Sequence, residues 1–244
     1  MISIEGDQFQ LRSNVNYIAI LSDFLISKYQ VTQELYQFIM GNNPSSFHGT
    51  NNPVESVSWY DAVEFCNKLS EFEGFERCYS GSKDNIKCNF LSNGYRLPTE
   101  AEWIFAARGG RHSKGYDYSG DNNPDSVAWH SSNSKDSTQP VGLKAPNELG
   151  LYDMSGNVYE WCWDWREEYP IVTEKNPTGP FNGESRIIRG GSWCHDFEFC
   201  NILYKYKKPD IITALTGNPT DIRGALHPSD KNYFLGFRLS KTLV

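Results

Sequence analysis

The sequence predicts an α+β domain with few helices, short strands and much irregular chain. Three helix starts stand out by their capping residues, and no pattern after residue 110 is as strong. Residues 116–147 are dense in Gly, Asn, Asp, Ser and Pro, which favour turns and long loops. Because no linker-like stretch divides the 244 residues, we expect a single domain over 1–244.

The three predicted helices begin after a residue that can cap a helix N-terminus. Thr32 precedes a run with apolar residues at 35, 38 and 39, and Ser58 precedes an amphipathic run over 59–69. Thr99 and Glu102 have the spacing of a capping box, and Gly109 can end that helix. Short strands are predicted over 158–161, 186–189 and 234–239, where β-branched and aromatic residues are frequent.

Charge and hydropathy argue against nucleic-acid binding and against a membrane-spanning segment. The formal net charge is −7 and no basic patch is visible, which argues against nucleic acid. No apolar run approaches the length that spans a membrane. The six cysteines include no Cys-x-x-Cys pair, so a structural zinc site is not expected. Cys78 and Cys88 flank a turn, and both pairing and free thiols stay open.

The segment between Arg189 and Arg238 has the composition of a binding surface. Paired glycines and arginines frame it, while its interior mixes aromatic and small polar residues without a period. Aromatics provide contact area at low entropic cost, and small polar groups provide adaptable hydrogen bonds. The candidate contact residues are Trp193, Cys194, His195, Asp196, Phe197, Phe199, Asn201, Leu203, Tyr204, Tyr206, Asp230, Asn232, Tyr233 and Phe234.

Each of these aromatics has an alternative place in the core. Phe197 and Phe199 are two residues apart, which is also the spacing of one inward face of a strand. The region from 206 to 227 contains prolines and glycines and is predicted to be an irregular insertion beside this surface. Composition alone does not decide whether it widens or covers the surface.

The order of motifs resembles the formylglycine-generating-enzyme (sulfatase-modifying factor) family, whose domain is a variant of the C-type lectin fold. The matching stretches are 26–32 (ISKYQVT), 53–62 (PVESVSWYDA), 94–103 (GYRLPTEAEW), 147–161 (NELGLYDMSGNVYEW), 189–193 (RGGSW) and 236–238 (GFR). The family includes copper oxidases, iron sulfoxide synthases and ligand-binding members without catalysis. Among the last are variable proteins of diversity-generating retroelements, of the treponeme variable protein type. That pattern implies a variable region over 193–235.

The resemblance implies that two cysteines after the Arg-Gly-Gly-Ser motif hold copper in the oxidases. Cys200 matches the second position, but His195 stands at the first and Cys194 lies one residue early. In an extended segment a shift of one residue turns a side chain to the opposite face. Copper binding is therefore not expected. The alternative is a formylglycine-generating-type copper oxidase that acts on a peptide cysteine through Cys194 and Cys200.

The resemblance also implies one structural calcium site. Its ligands would be the side chains of Asp153 and Glu160 and the carbonyls of Gly156 and Val158, which are the oxygen donors that Ca²⁺ prefers. The alternative is that these are ordinary turn residues. A second calcium site of the family is not carried over, because Val127 replaces an expected asparagine and residues 138–140 lack an aspartate.

These observations predict a non-catalytic, receptor- or adhesin-like variable protein on a C-type lectin scaffold. Its partner is expected to be macromolecular, a protein rather than nucleic acid, and the chain is expected to be monomeric. We expect it at the cell surface, anchored to lipid through a leader trimmed from this sequence, with a cytoplasmic location as the alternative. A carbohydrate-binding accessory domain is a third interpretation.

Overall fold

A computed structural model describes residues 1–12, 15–167, 171–203 and 224–243. Within these ranges the chain forms four α-helices: α1 (Gln33–Met40), α2 (Trp59–Phe72), α3 (Glu100–Ala107) and α4 (Pro124–Val127). The three predicted helix starts are confirmed. The Thr32 side chain accepts a hydrogen bond from the Leu35 amide, and both Ser58 and Thr99 form capping boxes. The additional helix α4 is a single turn.

Fourteen short strands are found in the described residues. They are β1 (Ile2–Ile4), β2 (Gln8–Arg12), β3 (Val15–Ile20), β4 (Phe24–Ile26), β5 (Tyr79–Ser80), β6 (Lys87–Cys88), β7 (Ala128–Trp129), β8 (Ser155–Gly156), β9 (Tyr159–Trp165), β10 (Thr173–Lys175), β11 (Arg186–Arg189), β12 (Ala225–Leu226), β13 (Leu235–Gly236) and β14 (Ser240–Thr242). Of the predicted runs, 158–161 becomes the start of β9 and 186–189 is β11.

The predicted strand over 234–239 is wrong in its extent. Only Leu235 and Gly236 belong to β13, and the next strand begins at Ser240. The intervening carbonyls of Phe237 and Leu239 instead accept hydrogen bonds from the amides of Val31 and Ser27. The chain thus passes from the sheet of β9 to the sheet of β4, and this crossing divides the run.

The sheet that supports the candidate site has the strand order β12-β11-β9-β13. Strand β11 is antiparallel to β9 and to β12, whereas β13 runs parallel to β9. Two further three-stranded sheets, β1-β4-β14 and β10-β3-β2, use the N-terminal strands that the sequence patterns did not predict. The residues that follow β11 and those that precede β13 therefore emerge beside each other.

Two groups of buried side chains form the core. One contains Trp59, Trp161 and Phe237, which are fully buried between α2 and the sheet of β9. The other is centred on Trp103 of α3 and includes Ile26. Burial of this much aromatic and aliphatic surface is the main favourable term for folding.

Three buried arginine–glutamate pairs connect these elements. Both terminal nitrogens of Arg96 lie 2.7 Å from oxygens of Glu102. Arg238 binds Glu160 through two bonds of 2.6 and 2.8 Å, and Arg189 pairs with Glu100 at the start of α3. Bidentate pairs fix orientation as well as position. The glutamates of α3 are therefore accounted for by structural roles.

The described residues include all six cysteines, and every one is a free thiol. Cys78 and Cys88 are accordingly not joined. No helix among the described residues is both long and apolar enough to cross a bilayer.

Candidate ligand-binding site

A tight double-glycine turn begins the site directly after β11. Gly190 and Gly191 have φ angles of +103° and +74°, which favour glycine. A Cβ on Gly191 would lie 2.7 Å from Cys200 Sγ and 2.8 Å from the Cys200 main-chain nitrogen. The segment 192–200 therefore folds back against the turn, and only glycine leaves room for it.

His195 is the buried centre of this segment. Its ring is packed against Tyr159, Phe199 and Phe234 at centroid distances of 5.2, 5.5 and 5.1 Å. Its Nδ1 lies 2.6 Å from Ser192 Oγ. Burial lowers the pKa of His195 to about 4, so the ring is neutral at physiological pH. A neutral, packed imidazole supports the segment.

Trp193 connects this segment to two other parts of the chain. Its indole nitrogen donates to the Tyr233 carbonyl at 3.1 Å, and Ser134 Oγ donates to the Trp193 carbonyl at 2.9 Å. Phe47 lies edge-on to the indole with ring centroids 4.9 Å apart. The Tyr233 ring contacts the same indole at 5.7 Å. Phe47, Trp193 and Tyr233 thus form an aromatic trio at the edge of the site.

Glu55 positions Phe47, and neither residue was identified as functional from the sequence. The fully buried Glu55 carboxylate accepts hydrogen bonds from the amides of Ser46 and Phe47 and from the Ser56 hydroxyl. The available signal was a single aromatic residue in the polar stretch 42–52, directly before the motif that contains Glu55.

The exposed face consists of Asp196, Phe197 and Tyr233. The Phe197 and Tyr233 side chains are 42% and 47% exposed. Phe197 contacts the His130 ring at 5.9 Å, and Asp196 accepts a hydrogen bond from the Ser131 hydroxyl at 3.1 Å. Four other predicted contact residues, Cys194, Asn201, Asp230 and Asn232, are half-buried at the edge.

Several of the predicted contact residues need correction. Trp193, His195, Phe199 and Phe234 are between 5% and 8% exposed, so they support the surface rather than form it. Leu203 packs against the core group around Trp103. The reason is that aromatic composition alone does not separate a contact from its support. Tyr204 and Tyr206, with most of the predicted insertion over 206–227, lie outside the described residues.

The two thiols of the oxidase alternative lie in different surroundings. Cys200 is fully buried in a small apolar group with Tyr118, and burial raises its pKa. Cys194 is half-buried, and its Sγ lies 3.4 Å from both Ser192 Oγ and His195 Nδ1. Burial raises the pKa of the Cys194 thiol as well, which disfavours the thiolate that binds metal or acts as a nucleophile. In the described residues, no group of three or more His, Cys, Asp or Glu side chains is placed to hold a metal ion.

The residues predicted to bind calcium do converge on one point, but with one change of atom. The carbonyls of Gly156 and Val158 and the Glu160 carboxylate surround it, and Asp153 contributes its main-chain carbonyl. The Asp153 carboxylate instead accepts a hydrogen bond from the Gly142 amide at 2.7 Å, and burial raises its pKa to about 6. Calcium binding itself stays a prediction.

Comparison with known proteins gives consistent matches over the chain. The family model for sulfatase-modifying factor enzyme 1-like domains matches residues 1–243. The chain is 41% identical over 242 residues to Chaperone protein LppX of Paenibacillus barcinonensis, a match that covers 85% of this chain and 83% of that protein. It is 33% identical over 181 residues to the mouse formylglycine-generating enzyme, covering 68% of this chain and 41% of the enzyme.

A solved structure gives the corresponding result in three dimensions. Treponema denticola variable protein 1 superposes with a TM-score of 0.86 at 34% sequence identity, covering 100% of this chain and 95% of that one. The α+β class predicted from the sequence, with few helices, short strands and an architecture of the formylglycine-generating type, is confirmed by these matches.

Proposed function

Because this chain belongs to the sulfatase-modifying factor enzyme 1-like family, we propose that it is a non-catalytic, ligand-binding member of that family. It presents the exposed face of Asp196, Phe197 and Tyr233 to a macromolecular partner. The half-buried side chains at the edge, Cys194, Asn201, Asp230 and Asn232, complete the contact. The similarity to Treponema denticola variable protein 1 supports this role, since that chain is matched along nearly its whole length.

The observation that carries the proposal is a pair of exposed aromatic rings on a rigid, buried support. Tyr233 rests on the Trp193 indole, and Phe197 follows directly after the packed His195. An aromatic side chain held in place loses little conformational entropy on binding. Aromatic residues of this kind dominate the energetics of protein interfaces.

The surroundings of the two thiols favour binding over oxidation chemistry. Cys200 packs against the backbone of the glycine turn, whereas Cys194 Sγ lies 3.4 Å from Ser192 Oγ and from His195 Nδ1. A soft metal needs thiolates that face a common point. A copper oxidase that uses Cys194 and Cys200 remains the alternative that the experiments below distinguish.

We propose that the partner is a protein. The relative from Paenibacillus barcinonensis carries the name of a chaperone, and a chaperone acts by contacting another protein chain. The negative formal charge of −7 supports a protein over a nucleic acid. The proposal includes a monomeric chain that acts at the cell surface.

Capture from a cell extract tests the surface directly. Immobilised wild-type protein is compared with the double variant Phe197→Ala/Tyr233→Ala by quantitative mass spectrometry. The matched control is Phe38→Ala/Phe72→Ala, which removes two aromatics that are 66% and 65% exposed on α1 and α2. The expected partner is retained by the wild type and the control and lost by the first double variant. Its affinity, measured with purified partner, should fall at least about tenfold.

Two outcomes would overturn the proposal, the first by removing the exposed face as the contact surface and the second by replacing binding with catalysis. One is a partner that the wild type and both double variants capture equally. The other is stoichiometric Cu(I) binding, together with oxidation of a thiol peptide, that is lost in Cys200→Ala. A glycan array whose hits disappear in Phe197→Ala/Tyr233→Ala would replace the protein partner with a carbohydrate.

Diversification of the segment 193–235 has a separate test in the coding DNA. We expect a near-repeat of the 3′ end of the gene that differs mainly at template adenines, beside a reverse transcriptase gene. Their absence would remove the variable-protein interpretation and leave the binding function in place.

A further inference from the structure

The side-chain amide of Gln30 lies at the point on which the predicted calcium ligands converge. Its Nε2 is 2.9 Å from the Val158 carbonyl and 2.9 Å from Glu160 Oε1. The carbonyls of Asp153 and Gly156 lie 3.1 and 3.4 Å away. Gln30 is only 2% exposed. Four oxygens from one loop and strand therefore surround a single nitrogen in the interior.

The loop that supplies these oxygens adopts an unusual backbone. Asp153 and Asn157 are non-glycine residues with φ angles of +55° and +66°. Such conformations cost about 1 kcal/mol or more each and persist only where the surroundings impose them. Their position on either side of Gly156 turns three carbonyls toward one point. The backbone conformation of this loop therefore holds these oxygens together, and we call the set (the Asp153, Gly156 and Val158 carbonyls with Glu160 Oε1) the oxygen cage.

The charge inside the cage is already compensated by protein groups. Arg238 binds both oxygens of Glu160, at 2.6 and 2.8 Å, and the Trp103 indole donates to Oε2 at 2.7 Å. Arg238 and Glu160 are both fully buried. The three carbonyl oxygens of the cage still require hydrogen-bond donors. Gln30 supplies two N–H donors and no charge.

Calcium and this amide compete for the same space. Ca²⁺ binds oxygens at about 2.3–2.6 Å, so an ion held by these four atoms would occupy the volume where Nε2 lies. An amide nitrogen with its two hydrogens does not ligate a cation. All four neighbours are acceptors, so hydrogen bonding assigns Nε2 rather than Oε1 as the atom that faces them.

Two buried oxygens beside the cage, Gln30 Oε1 and Asp153 Oδ1, have no hydrogen-bond partner. If the amide turned over, Gln30 Oε1 would face the cage as an oxygen ligand for a cation. With Nε2 inward, the four cage oxygens share its two hydrogens, while these two oxygens have no donor. The direction of the amide therefore decides whether Gln30 offers the cage a nitrogen donor or an oxygen ligand.

We infer that the Gln30 carboxamide is the chain's own replacement for a cation in this cage, so that the fold does not depend on calcium. The amide joins the segment that follows β4 to the stretch 153–160, more than 120 residues later in the sequence. It holds the carbonyls by hydrogen bonds where an ion would hold them by charge. This role is independent of the proposed ligand binding.

The wild-type protein provides the first test. Its thermal unfolding midpoint is measured in excess EDTA and in millimolar calcium at the same ionic strength. We expect equal midpoints, and no heat of one-site binding when calcium is titrated calorimetrically. A midpoint raised by calcium, or stoichiometric calcium binding, would overturn the inference.

The variant Gln30→Glu sharpens the test because it changes only the amide into a carboxylate. The variant loses two donors and adds a negative charge among four oxygens, so its cage should require a cation. We expect a lower midpoint than the wild type in EDTA and a rise on addition of calcium. The matched control is Gln33→Glu, another buried glutamine whose amide donates to the Phe47 and Pro53 carbonyls. It should be destabilised without recovery in calcium.

The results for Gln30→Glu and Gln33→Glu together distinguish the possibilities. Calcium recovery in Gln30→Glu alone supports a cation-shaped cage that glutamine fills. Lack of recovery, or recovery in both variants, contradicts the placement of the amide at a cation position. If Gln30→Glu does not fold, the wild-type comparison still decides whether the protein uses calcium.

Discussion

The two ends of the candidate site and the segment between them are stabilised in opposite ways. At the ends, Arg189 and Arg238 are buried and paired with Glu100 and Glu160. Between them, Asp196 and Phe197 are exposed, and the Phe197 ring lies 5.9 Å from the His130 ring. Each end is held by a buried ion pair, and replacing either partner leaves the other charge buried without compensation. The exposed residues make fewer contacts, so replacing them costs less stability. A surface can therefore change its side chains while its anchors stay in place.

The largest expected effect comes from breaking an anchor. Arg238→Met leaves the Glu160 carboxylate buried without a counter-charge, and we expect a loss of about 3–5 kcal/mol in the free energy of unfolding, measured by urea titration. Arg77→Met is the control, since its pair with Glu71 is about half exposed and should be worth less than about 1 kcal/mol. Equal losses in both variants would contradict the distinction between buried and surface pairs.

The contribution of His195, which lies buried under the exposed face, to the free energy of unfolding should depend on pH. The pKa of His195 in the folded protein is lowered to about 4 by burial, against about 6.5 when unfolded, while nearby Asp196 opposes the shift. Protonation thus favours the unfolded chain. Stability from this residue is fully present above pH 6.5 and is lost as pH falls toward 4, by about 3 kcal/mol.

The variant His195→Phe should remove this part of the pH dependence in urea titrations between pH 4 and pH 7. His227→Phe, which replaces an exposed histidine of the same segment, should keep the wild-type slope. A slope unchanged in His195→Phe would show that other groups cause the acid sensitivity.

A smaller effect is expected at the glycine turn. Gly191→Ala combines a positive φ with a Cβ that meets Cys200, and we expect a loss of about 2 kcal/mol by chemical denaturation. Gly74→Ala has a similar φ of +78° but open space around the new Cβ, so it isolates the backbone cost of about 1 kcal/mol. If the two variants lose the same amount, the close approach of Cys200 is not limiting.

The smallest effect should come from the exposed face itself. Phe197→Ala and Tyr233→Ala should each change the free energy of unfolding by less than about 1 kcal/mol, because these rings are nearly half exposed. Differential scanning calorimetry checks this. A large loss of stability would place them among the supports rather than the contacts.

Local signals in the sequence predicted the helices well. The Thr32, Ser58 and Thr99 side chains each accept a hydrogen bond from the amide three residues later, so the pattern and the structure involve the same short stretch. The strand from 234 to 239 was predicted less well, because its division depends on partners at Ser27 and Val31. Pairing between distant parts of the chain is not encoded in a local pattern.

Prediction of the candidate site from the sequence meets the same limit. Composition predicted a binding segment between Arg189 and Arg238, but it did not separate the buried Phe199 and Phe234 from the exposed Phe197, since aromatic residues occur both in cores and on contact surfaces. Gln30 lies in the stretch 26–32 that carries the family resemblance, yet its contacts are with oxygens more than 120 residues later.

The contact between Phe47 and Trp193 divides the site between two stretches of the gene. Phe47 and the glutamate that positions it are encoded far upstream of codons 193–235, so mutations confined to those codons leave this one member of the aromatic trio unchanged. Every sequence that arises in this way would keep Phe47 and Glu55 while residues 193–235 differ. Related proteins could then diverge in what they recognise while sharing where, and at what angle, the partner approaches.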